Sequence, residues 1–128
     1  MATTAQYAAT ARTAVAQVTT ANTNRDGTGT IATVFTGGAS GSRVDDIWIV
    51  ATGTTTANVI RLFLNDGSNS RLWREIIVPA VTPSTTTPVF SASLLEQGLI
   101  LASTSWSLRA STNNTETYNI IVSRAGDF

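Results

Sequence analysis

The side chains that could do acid–base chemistry are few in this sequence. It has no histidine and no cysteine, so His general-base catalysis, Ser-His-Asp triads, thiol chemistry and disulfides are excluded. A glycosidase needs two carboxylates that flank the scissile bond. The spacing selects no such pair among the acidic residues Asp26, Asp45, Asp46, Asp66, Glu75, Glu96, Glu116 and Asp127. We predict that the protein is not an enzyme and has no catalytic residue.

Two short Asp-Gly segments resemble calcium loops superficially. They begin at Asp26 and at Asp66, and the second lacks the acidic residue that closes an EF-hand loop. The sequence GTGT at 27–30 is not a phosphate-binding loop, because no lysine follows it and no helix begins there. We predict no metal site and no cofactor.

The three tryptophans are candidates for packing or for recognition. Trp106 alternates with Leu108 on an apolar strand face, which predicts a place in the core. Trp48 and Trp73 fall on the faces opposite the cleaner aliphatic rows. They could belong to a subunit interface, where tryptophan is enriched, or to a platform that stacks on sugars. Alternatively, loops could bury both faces of their strands.

Arginine supplies every basic side chain, and its planar head suits contact surfaces better than lysine does. The central hairpin carries three arginines, and Tyr7 and Arg12 are the large side chains of an otherwise Ala- and Thr-rich start. The partner-binding residues that we predict are therefore Tyr7, Arg12, Trp48, Arg61, Arg71, Trp73 and Arg74.

The composition limits the classes of partner. Formal net charge is zero and charged residues make up 12% of the chain. This balance predicts no broad attraction to nucleic acid or to an anionic membrane. No apolar run approaches the roughly 20 residues that span a bilayer. The first residues lack the basic start and apolar stretch of a secretory signal, which predicts synthesis and assembly in the cytoplasm.

The stretch from Ala57 to Val78 contains two runs of alternating residues around Asp66-Gly67-Ser68-Asn69. Alternation with period two is typical of a strand with one buried face. In the first run Ile60, Leu62 and Leu64 share one face, opposite Arg61 and Phe63. In the second run Leu72, Arg74, Ile76 and Val78 alternate with Trp73, Glu75 and Ile77. Asp-Gly tolerates the positive φ of a tight turn, so we predict a β-hairpin with a loop longer than two residues.

Short alternating runs recur along the rest of the chain, with turns about every ten residues and no convincing helix. A bulge or a short strand is expected where Ile31 and Val34 break strict alternation. The segment PAVTPSTTTP holds all three prolines and predicts a crossover loop. We predict an all-β, jelly-roll-like antiparallel sandwich of about eight strands. It spans residues 14–128 as a single domain, preceded by an N-terminal arm at 1–13.

Three segments carry a resemblance to a known group: TTANTNRDGTGTIATVFTGG (19–38), TTTANVIRLFLNDGSNSRLWREIIVPAVTPSTTTPVF (54–90) and SWSLRASTNNTETYNIIVSRAGDF (105–128). Through them the chain resembles small structural proteins of tailed bacteriophages and prophages. The resemblance covers most of the domain but not the first dozen residues, and its motifs are structural rather than catalytic.

The resemblance implies a β-sandwich that assembles on the phage particle. Within that group we expect a capsid cement (decoration) protein, a homotrimer on the capsid surface of the virion that binds the major capsid protein and stabilises the head. A tail or head-fibre component and a carbohydrate- or receptor-binding module are the alternatives. The arm could become ordered against the capsid or a neighbouring subunit.

Overall fold

The structure, a computed structural model, describes residues 7–128. Those residues form nine strands and no helix, and so include no helix that could cross a membrane. The strands are β1 (Thr10–Val18), β2 (Ala32–Thr36), β3 (Ser42–Ala51), β4 (Asn58–Asn65), β5 (Ser70–Val78), β6 (Ser91–Leu94), β7 (Leu99–Leu101), β8 (Ser107–Thr112) and β9 (Tyr118–Asp127).

The strands make two antiparallel sheets that pack face to face. The β1 sheet has the order β1-β9-β3-β6, with β7 also paired to β3, and the β2 sheet has the order β2-β8-β4-β5. β6 pairs with residues 47–50 of β3 and β7 with residues 42–44, so the two short strands share one position. Each sheet therefore has four strand positions, and this strand order is that of a jelly roll. The predicted sandwich is confirmed, with nine strands instead of about eight.

The core lies between the sheets, and strand alternation fills it. Ile60 and Leu62 of β4 are fully buried against Ile47 and Ile49 of β3, and Leu64 packs at the edge of the same cluster. The predicted hairpin is confirmed, with Asp66–Asn69 as its loop and Gly67 at φ 100°. The proline-rich segment crosses from β5 in one sheet to β6 in the other, as predicted.

A bulge in β5 changes the side on which its aromatic residue lies. Leu62 pairs with Arg74 and Phe63 pairs with Leu72, which leaves Trp73 as an extra residue. Trp73 consequently packs against the core, while Leu72 is 37% exposed. The predicted faces of these two residues are therefore wrong, because strict alternation cannot pass through an inserted residue.

The predicted N-terminal arm is in part a strand. Its residues 1–6 lie outside the described part of the chain, but β1 already begins at Thr10, which pairs with Asp127 of β9. One residue earlier, the Ala9 amide donates to the Asp127 carbonyl over 2.9 Å. The sandwich starts at Thr10 rather than at residue 14, because β9 supplies backbone partners for these alanines and threonines.

Candidate interaction surfaces

An uncovered apolar row crosses the outer face of the β1 sheet. Val15 of β1 pairs with Ile121 of β9, and Ile121 pairs with Trp48 of β3, so the three side chains lie side by side. Val15 is 74% exposed and Trp48 is 39% exposed, whereas Ile121 between them is half-buried. Alternation produces the row, because the neighbours Ile47, Ile49, Ile120 and Val122 point into the core. We call these three residues the apolar row.

The adjacent row is uncharged and combines two amides with an aliphatic side chain. Gln17, Asn119 and Val50 are paired across the same three strands, and the Gln17 Nε2 donates to the Asn119 Oδ1 over 3.0 Å. Between this pair and the apolar row is a shallow groove of about 360 Å³. This bond leaves the Gln17 Oε1 and the Asn119 Nδ2 for hydrogen bonds to a partner.

Tyr7 packs on the same outer face of the β1 sheet, near Arg43 and Asp45 of β3. Its hydroxyl donates to the Asp45 Oδ2 over 2.5 Å. Arg43 lies over the ring at 4.5 Å from its centroid, and Arg124 lies at 5.7 Å. Partial burial and the Asp45 carboxylate together raise the pKa of Tyr7 to about 12. This predicted partner-binding residue is thus already engaged within its own chain.

Glycine makes room for that contact. A Cβ at Gly126 of β9 would collide with the Ala8 Cβ and would meet the Tyr7 ring at 3.5 Å. The chain before β1 therefore lies directly on the backbone of β9.

Asp45 and Asp46 are two of the carboxylates considered for catalysis. Both accept hydrogen bonds from the backbone of the segment between β6 and β7. The Asp45 Oδ1 accepts from the Gly98 amide and the Asp46 Oδ1 accepts from the Glu96 amide, each over 2.9 Å. Ion pairs with Arg43 at 2.9 Å and Arg124 at 3.2 Å balance their charge. Residues 7–128 hold no group of three or more acidic side chains that could bind a metal ion.

Arg12 closes the edge of the sandwich. Its Nη1 lies 2.9 Å from both the Asp127 Oδ1 and the Thr36 carbonyl oxygen, and its guanidinium lies 4.1 Å from the centroid of the Phe35 ring. These contacts join β1 to β2 across the two sheets, so the arginine is half-buried and engaged within its own chain.

Part of the outer face of the β2 sheet is covered, although Ile77 of β5 on that face is 81% exposed. The loop between β1 and β2, residues 19–31, bonds to β8 through the Asn22 amide and the Thr112 carbonyl at 2.8 Å. It then reaches β5, where Arg25 pairs with Glu75 at 2.9 Å. We call this segment the covering loop. Phe63, which lies on this face of β4, is fully buried.

Arg61 is the polar centre beneath the covering loop. It is 2% exposed, and its Nη1 donates to the Asn22 carbonyl oxygen over 3.2 Å and to the Asn113 Oδ1 over 3.0 Å. Its Nε lies 3.2 Å from the Glu75 Oε2. Arg61 is therefore unavailable to a partner, which corrects its predicted place on a contact surface.

The remaining predicted residues lie on β5, away from the apolar row. Arg74 is exposed, lies 5.1 Å from the ring of Trp73 and donates to the Gln97 Oε1 over 3.1 Å. Arg71 is exposed beside the hairpin loop. The fold does not bring Trp48 and these arginines into one site. Trp106 packs against the core, as predicted.

Val15 and Ile121 were not among the predicted partner residues. The signal was present in Ala14-Val15-Ala16, where the one large side chain lies out of phase with the small ones that face the core. It could not be interpreted without the register that places Val15 beside Ile121 and Trp48.

No family model matches the chain, and no curated protein matches it. Among solved structures it is similar to a chain described as "Cyanophage Pam1 capsid asymmetric unit", with 14% identity and a TM-score of 0.36 over 98% of this chain and 89% of that one. It is also similar to a chain of "Structure of infectious bursal disease virus Gt strain", with 12% identity and a TM-score of 0.30 over 95% of this chain and 34% of that one. Both TM-scores are below 0.5, so the fold assignment rests on the strand pairing described above and not on these similarities.

Proposed function

We propose that this chain is a structural protein of a virion that works by binding other proteins and not by catalysis. The observation that carries the proposal is the apolar row, in which Val15 and Trp48 remain exposed on the part of the sheet face that Tyr7 does not cover. Exposed, adjacent apolar side chains beside a polar rim are typical of protein–protein contacts. The resemblance of three long segments to phage structural proteins supports the viral context.

Within that class we propose a capsid cement protein. It assembles with the capsid in the host cytoplasm, lies on the capsid surface and contacts the major capsid protein through the apolar row. A row of three side chains gives a weak contact in one copy. Many copies on a symmetric shell, joined as homotrimers, make such contacts strong through multivalency.

The test is co-sedimentation of the purified protein with shells of the major capsid protein encoded in the same genome, together with its mass by light scattering. We expect saturable binding to shells and a solution mass three times that of the chain. Failure to bind shells would contradict the cement function. Binding to purified tails or fibres instead would assign the protein to those structures.

A further inference from the structure

A second surface lies on the opposite sheet, where the covering loop meets the β4–β5 hairpin. The two segments form the walls of a polar pocket of about 380 Å³ that is open to solvent. This volume lies in the lower part of the range of roughly 300–1,000 Å³ that small-molecule sites occupy. The pocket is lined by residues 26–29 and Ile31 of the covering loop, Asn65 and residues 68–71 of the hairpin, and Arg109 of β8.

Glycine allows the two walls to meet. Gly27 has φ 87°, and a Cβ there would collide with the Ser70 carbonyl oxygen of the hairpin. The Asp26 carboxylate fixes the turn by accepting from the Thr28 amide over 3.0 Å and from its hydroxyl over 2.6 Å. The pocket is thus built by contacts that hold both loops in place.

The two arginines of the pocket differ from most others in the chain. Ion pairs hold five of the eight arginines of this chain: Arg12, Arg25, Arg43, Arg61 and Arg124. Arg71 and Arg109 form no ion pair within residues 7–128, and both line this pocket. Arg109 bonds to the Ser107 hydroxyl through Nε, which leaves its two terminal nitrogens for other acceptors.

The charge of the lining therefore favours an anion. Asp26 is its one acidic residue, and the hydrogen bonds from Thr28 hold the pKa of that carboxyl below its usual range. Within the lining, two guanidinium groups against one carboxylate leave a net positive charge, which Asp66, just outside the lining, reduces through its interaction with Arg71. Guanidinium groups bind carboxylates and phosphates with strong, directional hydrogen bonds.

The other groups of the pocket suit a ligand that carries hydroxyls. Ser68 and Asn69 lie beside Arg71 and present a hydroxyl and an amide, and Ile31 adds one apolar wall. We infer that this pocket binds an acidic sugar, with its carboxylate between Arg71 and Arg109 and its hydroxyls on the hairpin loop. The inference is independent of the cement function, because it rests on the opposite face of the sandwich.

The test is a titration of the 15N-labelled protein with glucuronate and with N-acetylneuraminate, followed by the amide shifts of the hairpin loop. We expect at least one of the two to shift the Asn69, Arg71 and Arg109 amides in a saturable manner. Glucose, which lacks the carboxylate, and inorganic phosphate, which lacks the hydroxyl frame, should each bind at least about tenfold more weakly. That ratio corresponds to about 1.4 kcal/mol.

Three variants locate the site. Arg71→Gln and Arg109→Gln should each weaken binding of the acidic sugar by about tenfold, or about 1.4 kcal/mol. Arg74→Gln is the matched control, because Arg74 is also exposed on β5 but lies outside the pocket, and its affinity should stay within about twofold of wild type. The thermal midpoint of each variant shows whether the fold is intact. Arg71→Gln should disturb the fold least, because Arg71 is exposed to solvent.

Two results would overturn the inference. Absence of saturable shifts with both acidic sugars would show that the pocket is not a site for them. Phosphate binding as tight as that of the acidic sugar would show a general anion site without selectivity for a sugar. Neither result would bear on binding to capsid shells.

Discussion

The two sheets of this sandwich differ in how much of their outer faces the rest of the chain covers. On the β2 sheet the covering loop crosses from β8 to β5 and buries Phe63 and Arg61. On the β1 sheet the apolar row keeps Val15 and Trp48 open to solvent. Since burial of apolar surface stabilises a protein by roughly 25 cal/mol per Å², a face left bare forgoes stability that a second loop could supply. The outer face of the β1 sheet is the one that we propose for a partner.

The ionic cluster under the covering loop should give the largest effect on stability. Arg61→Ala removes the buried guanidinium and leaves the Asn22 carbonyl and Glu75 with fewer partners. We expect a loss of about 3 kcal/mol in the free energy of unfolding, measured with urea. Arg25→Ala is the matched control, because this more exposed arginine pairs with the same Glu75. It should cost less than about 1 kcal/mol. Equal losses would contradict the covered-face account.

The close approach of the covering loop to the hairpin should give a smaller effect. Gly27→Ala places a Cβ against the Ser70 carbonyl and forces alanine to φ 87°. We expect a loss of about 2 kcal/mol in the free energy of unfolding, with faster amide exchange in residues 19–31. Gly53→Ala is the control, because its Cβ would meet nothing within 4 Å. Its effect should stay within about 0.5 kcal/mol. A tolerated Gly27→Ala would show that the loop is not held against the hairpin.

Tyr7 on the β1 sheet provides a pH test. Its partial burial and its hydrogen bond to Asp45 raise its pKa to about 12 from 10.0. Because the folded pKa lies above the unfolded one, the contribution of Tyr7 to stability is complete below about pH 10 and is lost as pH rises through about 12. Tyr7→Phe should therefore cost about 1 kcal/mol at neutral pH, and the difference from wild type should shrink across that window.

Alkaline titration of phenolate absorbance checks this directly, because the chain has two tyrosines. Burial and the Glu116 carboxylate raise the pKa of the other one, Tyr118, as well. The folded protein should show almost no phenolate at pH 10, while the urea-unfolded chain should be about half ionised there. A folded signal at pH 10 that is about half of the unfolded signal would mean that Tyr7 ionises as a free phenol, because Tyr118 would still be protonated.

The sequence was most informative where side chains obey a simple period. The predicted faces are correct in β3, where Ile47 and Ile49 lie opposite Trp48. They are also correct in β4, where Ile60 and Leu62 lie opposite Arg61. The prediction failed at Trp73, where a bulge inserts one residue, and at Arg61, where a loop from about forty residues earlier covers an outer face. Both failures have the same physical cause. A local pattern gives the alternation of a strand, but a pairing partner or a covering segment distant in the chain decides what each face meets.

The same limit applies to the candidate surfaces. Tyr7, Arg12 and Arg61 were chosen for their chemistry, and each proves to be engaged within the chain. Val15 is an ordinary strand residue in the sequence, and it became a candidate only through its register with Ile121. Arg71 and Arg109 lie 38 positions apart and share a pocket because of strand order.

The most direct test of the bare face is a pair of charge substitutions on opposite sheets, measured by binding to capsid shells. Val15, in the apolar row, is 74% exposed, and Ile77, on β5 of the other sheet, is 81% exposed, so Val15→Asp and Ile77→Asp should each change stability by less than about 0.5 kcal/mol. We expect Val15→Asp to weaken binding to shells at least about tenfold, or about 1.4 kcal/mol, and Ile77→Asp to leave it unchanged. Wild-type binding by Val15→Asp would contradict the assignment of the apolar row as the contact surface.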